Sequence, residues 1–225
     1  MSRVGIFGGT FDPIHFGHLG LAVEAKKALV LNKIFLIPSY NPPHKVGRTI
    51  TPIEIRINMA QLAVGSHEGV EVSEIELERG GLSYTIDTVI SFIDSFPNDE
   101  FFLLVGLDSF LDMSKWRFFG RIFELCNIVV GMRPKIGLPD TDNCFKDWFG
   151  NENPYSRINS DLFMEEFIRK DNGKRVIFFQ QEPCPAASSE IRSMIAEGKD
   201  VKNLLPGKVE NYIIGHRLYQ APPPA

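Results

Sequence analysis

Apolar runs of strand length alternate with longer segments of helical period through most of this chain, and few folds satisfy that order. Val4–Phe7, Lys33–Pro38, Val70–Leu77, Glu100–Val105, Asn127–Gly131 and Arg175–Gln180 read as strands. A helix follows the first of them from about Phe16, with Leu19, Leu21, Ala22, Ala25, Ala28 and Leu29 near one face. Thr51-Pro52 opens another, Thr51 as N-cap and Pro52 at the first helical position, with Ile53, Ile57, Ala60 and Val64 inward. Tyr84–Phe96, Ser109–Leu125, Leu162–Ile168, Ser189–Ala196 and Lys208–Tyr219 also read as helical. Strands that are apolar throughout, separated by crossover helices, predict an α/β fold with a parallel sheet buried on both faces. Residues 1–220 read as a single domain, with an irregular aromatic-rich excursion near 135–160 and a frayed tail at 221–225.

Charge and cysteine usage exclude several classes of function. With 24 Lys+Arg against 28 Asp+Glu the net charge is −4, and the basic residues are scattered rather than striped, so wholesale binding to a nucleic-acid backbone is not expected. Any bound anion must be held locally. Cys126, Cys144 and Cys184 are widely spaced and odd in number, which encodes neither a disulfide framework nor a zinc site and suits a reducing compartment. No window approaches the roughly 20 apolar residues of a membrane span, and no signal peptide precedes the first strand, so the expected location is cytoplasmic, with no membrane partner. An assembly of identical copies stays open.

The densest chemical signal is Gly8-Gly9-Thr10-Phe11-Asp12-Pro13-Ile14-His15-Phe16-Gly17-His18, between the first strand and the first helix. Ligands of open parallel sheets bind beyond the carboxyl ends of strands, where a helix N-terminus offers unpaired N–H groups to phosphate. Glycines there let a phosphate approach the backbone, and histidines at i and i+3 lie on one face, so both imidazoles can donate to the same oxygens. The segment lacks the Lys of a P-loop and the third glycine of a dehydrogenase fingerprint. Zinc held by His15, His18, His44 and Asp12 is one alternative, and a capped turn with incidental histidines is another.

GGTFDPIHFGHL resembles the HxGH signature of the nucleotidylyltransferase superfamily and, more narrowly, of bacterial nicotinate-nucleotide adenylyltransferases. PSYNPPHK at 38–45, SYTIDTV at 83–89, LLVGLDSFLDMSKW at 103–116, VVGMRP at 129–134, SSEIR at 188–192 and LPGKVENYI at 205–213 extend the likeness in order along nearly the whole chain. Two phrases depart from the usual pattern: Ala186-Ala187 stands where Ile-Ser is usual, and Leu107 where Ala is usual. The resemblance implies a Rossmann-like α/β fold, with helices on both faces of a parallel sheet, of nucleotidylyltransferase type.

It also implies a reaction: the phosphate of nicotinate mononucleotide attacks the α-phosphorus of ATP, giving deamido-NAD and pyrophosphate. By the same analogy His15 and His18 stabilise charge at the α-phosphorus, Gly8, Gly9 and Thr10 lie against the phosphates, and Lys45, Ser188 and Arg192 grip the triphosphate. Thr85, Asp108, Trp116 and Arg133 fall to the pyridine nucleotide. Simpler roles stand beside these: Trp116 in the core, Asp108 capping a helix that begins at Ser109, and Ser188 or Ser189 capping the late helix. Mg²⁺ is expected with ATP, without a protein-only cage. Transfer to another phosphorylated acceptor, such as nicotinamide mononucleotide or phosphopantetheine, is the alternative within enzymes, and a nucleotide-binding regulator without turnover the alternative outside them.

Overall fold

The computed structural model describes residues 1–45, 47, 49–65, 67–132, 140–150, 153–160, 164–182, 184 and 187–220. In chain order these form β1 (Arg3–Gly9), α1 (Phe16–Ala28), β2 (Lys33–Pro38), α2 (Ile53–Val64), β3 (Val70–Val72), α3 (Ile75–Arg79), α4 (Thr85–Ser95) and β4 (Glu100–Gly106). There follow α5 (Leu107–Leu111), α6 (Phe119–Leu125), β5 (Asn127–Met132), α7 (Thr141–Phe149), β6 (Tyr155–Ser160), β7 (Met164–Arg169), β8 (Arg175–Gln180), α8 (Ser188–Ala196) and α9 (Gly207–Gly215). Among the described residues eight strands make one sheet in the order β3-β2-β1-β4-β5-β8-β7-β6.

Neighbours from β3 to β8 are parallel, whereas β7 pairs antiparallel with both β8 and β6. The α/β class holds, and a hairpin extends the sheet into a mixed one. Two burial clusters show why both faces are covered. On one face Phe102, Leu104, Val129, Ile177 and Phe179 meet α1, α2, α8 and α9; on the other Phe101, Leu103, Val105, Ile128, Val130 and Phe178 meet α4, α5, α6 and α7. Successive residues of one strand thus enter opposite cores, as the period of two requires.

Several elements differ from the sequence expectation for local reasons. The expected strand Val70–Leu77 pairs with β2 only over Val70–Val72, and the chain then turns into α3. The described part of Leu162–Ile168 is strand rather than helix: Phe167 inserts beside Phe145 and Phe178 while its backbone completes the ladder of β8. A short apolar run does not declare its period, and the open edge of β8 decides it. The excursion folds around its aromatics, with Phe145 stacked on Tyr155 at 4.5 Å and Trp148 tilted on Phe110 at 5.0 Å. Ser109–Leu125 divides into α5, a turn at Met113–Lys115 and α6. Arg133, part of the 135–160 stretch and the tail 221–225 lie outside the described residues.

Candidate active site

The chain leaves β1 toward β2 on one side and returns to β4 on the other, so the crossovers diverge at the β1/β4 boundary. Such a switch point leaves a crevice beyond the carboxyl ends of the two strands. Gly8-Gly9 and Gly106 end those strands, and a Cβ at Gly8 or Gly106 would meet nothing within 4 Å. At Gly9 it would lie 2.7 Å from the Phe11 ring, so this glycine is needed for the ring to fold back. Phe11 is buried, edge-on to Phe7 at 5.5 Å and to His18 at 5.0 Å.

Side chains distant in sequence fix three carbonyls of the segment that follows. Arg56 Nη1 donates to the Thr10 carbonyl at 2.8 Å, Arg192 Nη1 to that of Asp12 at 2.6 Å, and Ser188 Oγ to that of Pro13 at 3.0 Å. Arg56, 1% exposed, also donates through Nε to the Thr51 carbonyl at 2.7 Å. The Thr51 N–H donates to Asp12 Oδ2 at 3.3 Å, and the Tyr219 hydroxyl donates to Asp12 Oδ1 at 2.7 Å. Lys45 Nζ reaches Thr10 Oγ1 at 2.8 Å. Burial lowers the Arg56 pKa, while the Asp12 charge is the largest effect opposing that shift.

The two histidines meet at the entrance to α1. Their rings stack with centroids 3.7 Å apart. His15 is the N-cap, its Nδ1 accepting from the Gly17 N–H at 3.1 Å, and His18 Nδ1 accepts from the His15 N–H at 3.3 Å. An Nδ1 that accepts a backbone proton puts the proton of a neutral imidazole on Nε2. Each ring is therefore a single Nε2–H donor. His18 is held neutral, its pKa well below 6.5, chiefly through burial and then because an imidazolium there would be repelled by His15, were it protonated, and by Lys45.

That depression couples to stability. Below pH 6.5 the unfolded chain takes up a proton that folded His18 refuses, so stability falls as pH falls from that value toward the folded-state pKa. His18→Gln is expected to flatten this dependence between about pH 5 and 7, measured as Tm against pH. Parallel Tm profiles for the variant and the wild type would mean that His18 does not carry the depressed proton affinity.

Across the crevice, two loops are clamped together: the Asn41 N–H donates to Ser83 Oγ and the Ser83 N–H to the Asn41 carbonyl, both at 2.9 Å. Tyr84 is the N-cap of α4 and Thr85 its first residue. The Arg117 guanidinium lies over the Tyr84 ring at 4.7 Å, joining that loop to the segment holding Trp116. Trp116 is half-buried against the core of the α4 face. Asp108 is exposed in the first turn of α5, whose N-cap is Gly106, so it caps no helix beginning at Ser109.

Other expected caps are also reassigned. Pro52, not Thr51, is the N-cap of α2, because the Thr51 backbone serves Asp12 and Arg56. Ala187 caps α8, and Ser188 spends its hydroxyl on Pro13. The structure thus brings His15, His18, Thr10, Lys45, Ser188 and Arg192 together around residues 10–18. Among the described residues no group of three or more His, Cys, Asp or Glu is placed to hold a metal ion; the side chain of His44, part of the zinc alternative, lies outside them. Sequence reading missed Arg56 and Tyr219. Arg56 had a signal, a charged residue on the apolar stripe of α2 beside Ile53, Ile57 and Ala60, which demands buried partners.

Known proteins resemble this chain over nearly its whole length. The profile of the family described as Cytidylyltransferase-like matches residues 6–194. A protein of Geotalea uraniireducens (strain Rf4) named "Probable nicotinate-nucleotide adenylyltransferase" is 36% identical over 217 residues, covering 96% of this chain and 98% of its own. One of the same name from Shewanella woodyi is 37% identical over 218 residues, covering 97% and 99%. In fold, the chain superposes on Plasmodium falciparum nicotinic acid mononucleotide adenylyltransferase, solved in complex with NaAD. The TM-score is 0.71 at 16% identity, covering 97% of this chain and 98% of that one. The full-length likeness at 36–37% identity carries more than the fold alone, and the chain belongs to the nicotinate-nucleotide adenylyltransferases of the cytidylyltransferase-like family.

Proposed function

We propose that this chain transfers the adenylyl group of ATP to nicotinate mononucleotide, forming deamido-NAD and releasing pyrophosphate, in the cytoplasm. The observation that carries the reading is the stacked His15–His18 pair, with both Nδ1 atoms occupied, at a strand end onto which Lys45 and Arg192 also converge. The acceptor is a phosphate monoester, ionised at neutral pH, so its oxygen attacks the α-phosphorus without a general base. Catalysis then rests on alignment and on donors aimed at developing charge. His15 and His18 supply two Nε2–H groups for the oxygens of the transferring phosphate. Lys45 and the remaining N–H groups of Arg192 stabilise the β- and γ-phosphates that leave together. Gly8, Gly9 and Thr10 let the phosphates approach the strand end.

A divalent cation, Mg²⁺ in this reading, enters as part of the ATP substrate and offsets charge on the departing pyrophosphate. On the acceptor side Trp116 stacks on the pyridine ring, Asp108 accepts from ribose hydroxyls, the Thr85 backbone N–H receives the ring carboxylate, and Arg133 pairs with the mononucleotide phosphate. Among the described residues no helix is long and apolar enough to cross a membrane, and Cys126, Cys144 and Cys184 are free thiols, in keeping with a reducing compartment.

The test is pyrophosphate release from Mg-ATP with nicotinate mononucleotide, nicotinamide mononucleotide and phosphopantetheine in turn. The expected result is highest kcat/KM for the nicotinate acceptor, by about tenfold or more over the amide, since donors placed for a carboxylate are only partly satisfied by the amide. Equal values for acid and amide would reject the carboxylate subsite, and preference for phosphopantetheine would reject the acceptor altogether.

A further inference from the structure

After α9 the chain turns back sharply toward the phosphate segment. Arg217 and Tyr219 both take left-handed backbone conformations, with φ of 52° and 62°, and the Leu218 N–H closes onto the Ile213 carbonyl at 3.0 Å. Such conformations are strained for non-glycine residues and persist only where surrounding contacts demand them. Here Leu218 and Tyr219 pack against the core of the α1 and α2 face. The Tyr219 hydroxyl ends 2.7 Å from Asp12 Oδ1, across 207 positions of sequence, with Met59 Sδ at 4.0 Å.

We propose that Tyr219 is a positioning residue for ATP, its hydroxyl holding the Asp12 carboxylate so that Arg192 stays available to the triphosphate; this rests on the reaction proposed above. Asp12 is buried, with Oδ2 taken by the Thr51 N–H and Oδ1 by Tyr219. Arg192 already touches the backbone carbonyl of Asp12. A buried carboxylate oxygen that lost its hydroxyl donor would draw on the cations beside it. Arg56 faces Asp12 but is held by the Thr10 and Thr51 carbonyls, so Arg192 would turn from substrate to Asp12. A neutral donor prevents this without bringing a second positive charge beside Arg192. Burial, and then the hydrogen bond to Asp12, raise the Tyr219 pKa, so the phenol keeps its proton through the neutral range.

Tyr219→Phe in the full chain keeps the ring and removes only the hydroxyl, with its hydrogen bonds to Asp12 and Thr51. Calorimetric titration with Mg-ATP in the absence of acceptor is expected to show binding weakened about tenfold, the size of one lost hydrogen bond to a charged group. KM for ATP should rise with it, while KM for nicotinate mononucleotide and Tm stay near the wild-type values. In an Arg192→Ala background the same substitution should add nothing, because the residue it protects is gone. Unchanged ATP affinity in the folded variant overturns the proposal, as do additive effects in the double variant or a fall in Tm with both KM values rising alike. Wild-type Mg-ATP binding without pyrophosphate release removes the proposed reaction while the titration still decides Tyr219; no Mg-ATP binding at all removes both.

Discussion

His18→Ala is expected to lower kcat by about 10²–10³, the usual cost of removing one preorganised donor from a developing oxyanion, with the fold intact. The ring sits where its Nδ1 is occupied by the His15 N–H, so its Nε2–H is the only proton it offers. Alanine removes that donor and leaves nothing charged behind. His15→Ala should slow turnover nearly as much but also lower stability, since His15 Nδ1 caps α1 through the Gly17 N–H and a lost N-cap costs about 1 kcal/mol. His15→Asn separates the two effects: it restores a good N-cap and with it Tm, but its short amide does not restore kcat. Because the rings stack at 3.7 Å, the double variant should lose less than the product of the single losses. Single-turnover rates with saturating Mg-ATP and acceptor measure all four proteins, and near-normal turnover in a folded double variant would end the assignment of this segment as catalytic.

The glycine and histidine segment between β1 and α1 was legible because its residues are local. Strand, glycines and the first helix follow one another within Val4–Leu29, and a histidine spacing of i, i+3 at a helix entrance has one geometric meaning. What was not legible depends on pairing across long separations. The family resemblance gives Arg192 and Ser188 to ATP, and in the fold each also grips a carbonyl more than 170 positions away. No local pattern announces that a tyrosine after the last helix will meet Asp12. The β6–β7 hairpin failed for a different reason: Met164–Arg169 is short and mixed, equally readable at either period, and the vacant edge of β8 settles it. Helix caps differ most often: Thr51 and Ser188 have partners in the site that outweigh their usual local preference, and at Asp108 the helix begins earlier, at Leu107.

Arg192→Ala is expected to reduce kcat/KM for ATP by about 10²-fold, the loss of a charge-assisted contact to phosphate together with some of its alignment. Among the described residues one of its five N–H groups donates to a hydrogen-bond acceptor, the Asp12 carbonyl at 2.6 Å, which orients the guanidinium plane and, in the proposed reaction, leaves the others for the triphosphate. Alanine therefore loses both the clamp and the brace, and lysine distinguishes them. An ammonium can reach the carbonyl or a phosphate but lacks the planar fork to serve both, so Arg192→Lys should recover stability while recovering only part of the rate. Affinity for nicotinate mononucleotide without ATP should be unchanged in either variant, since Thr85 and Trp116, the residues proposed for the acceptor, hang from α4 and from the turn before α6, on the other face of the sheet from α8. Initial rates over an ATP series, with acceptor binding followed separately by titration, give the two quantities. Equal weakening of both substrates would mean that Arg192 acts only as a brace for the loop they share, and the leaving pyrophosphate would then depend on Lys45 and its divalent cation alone.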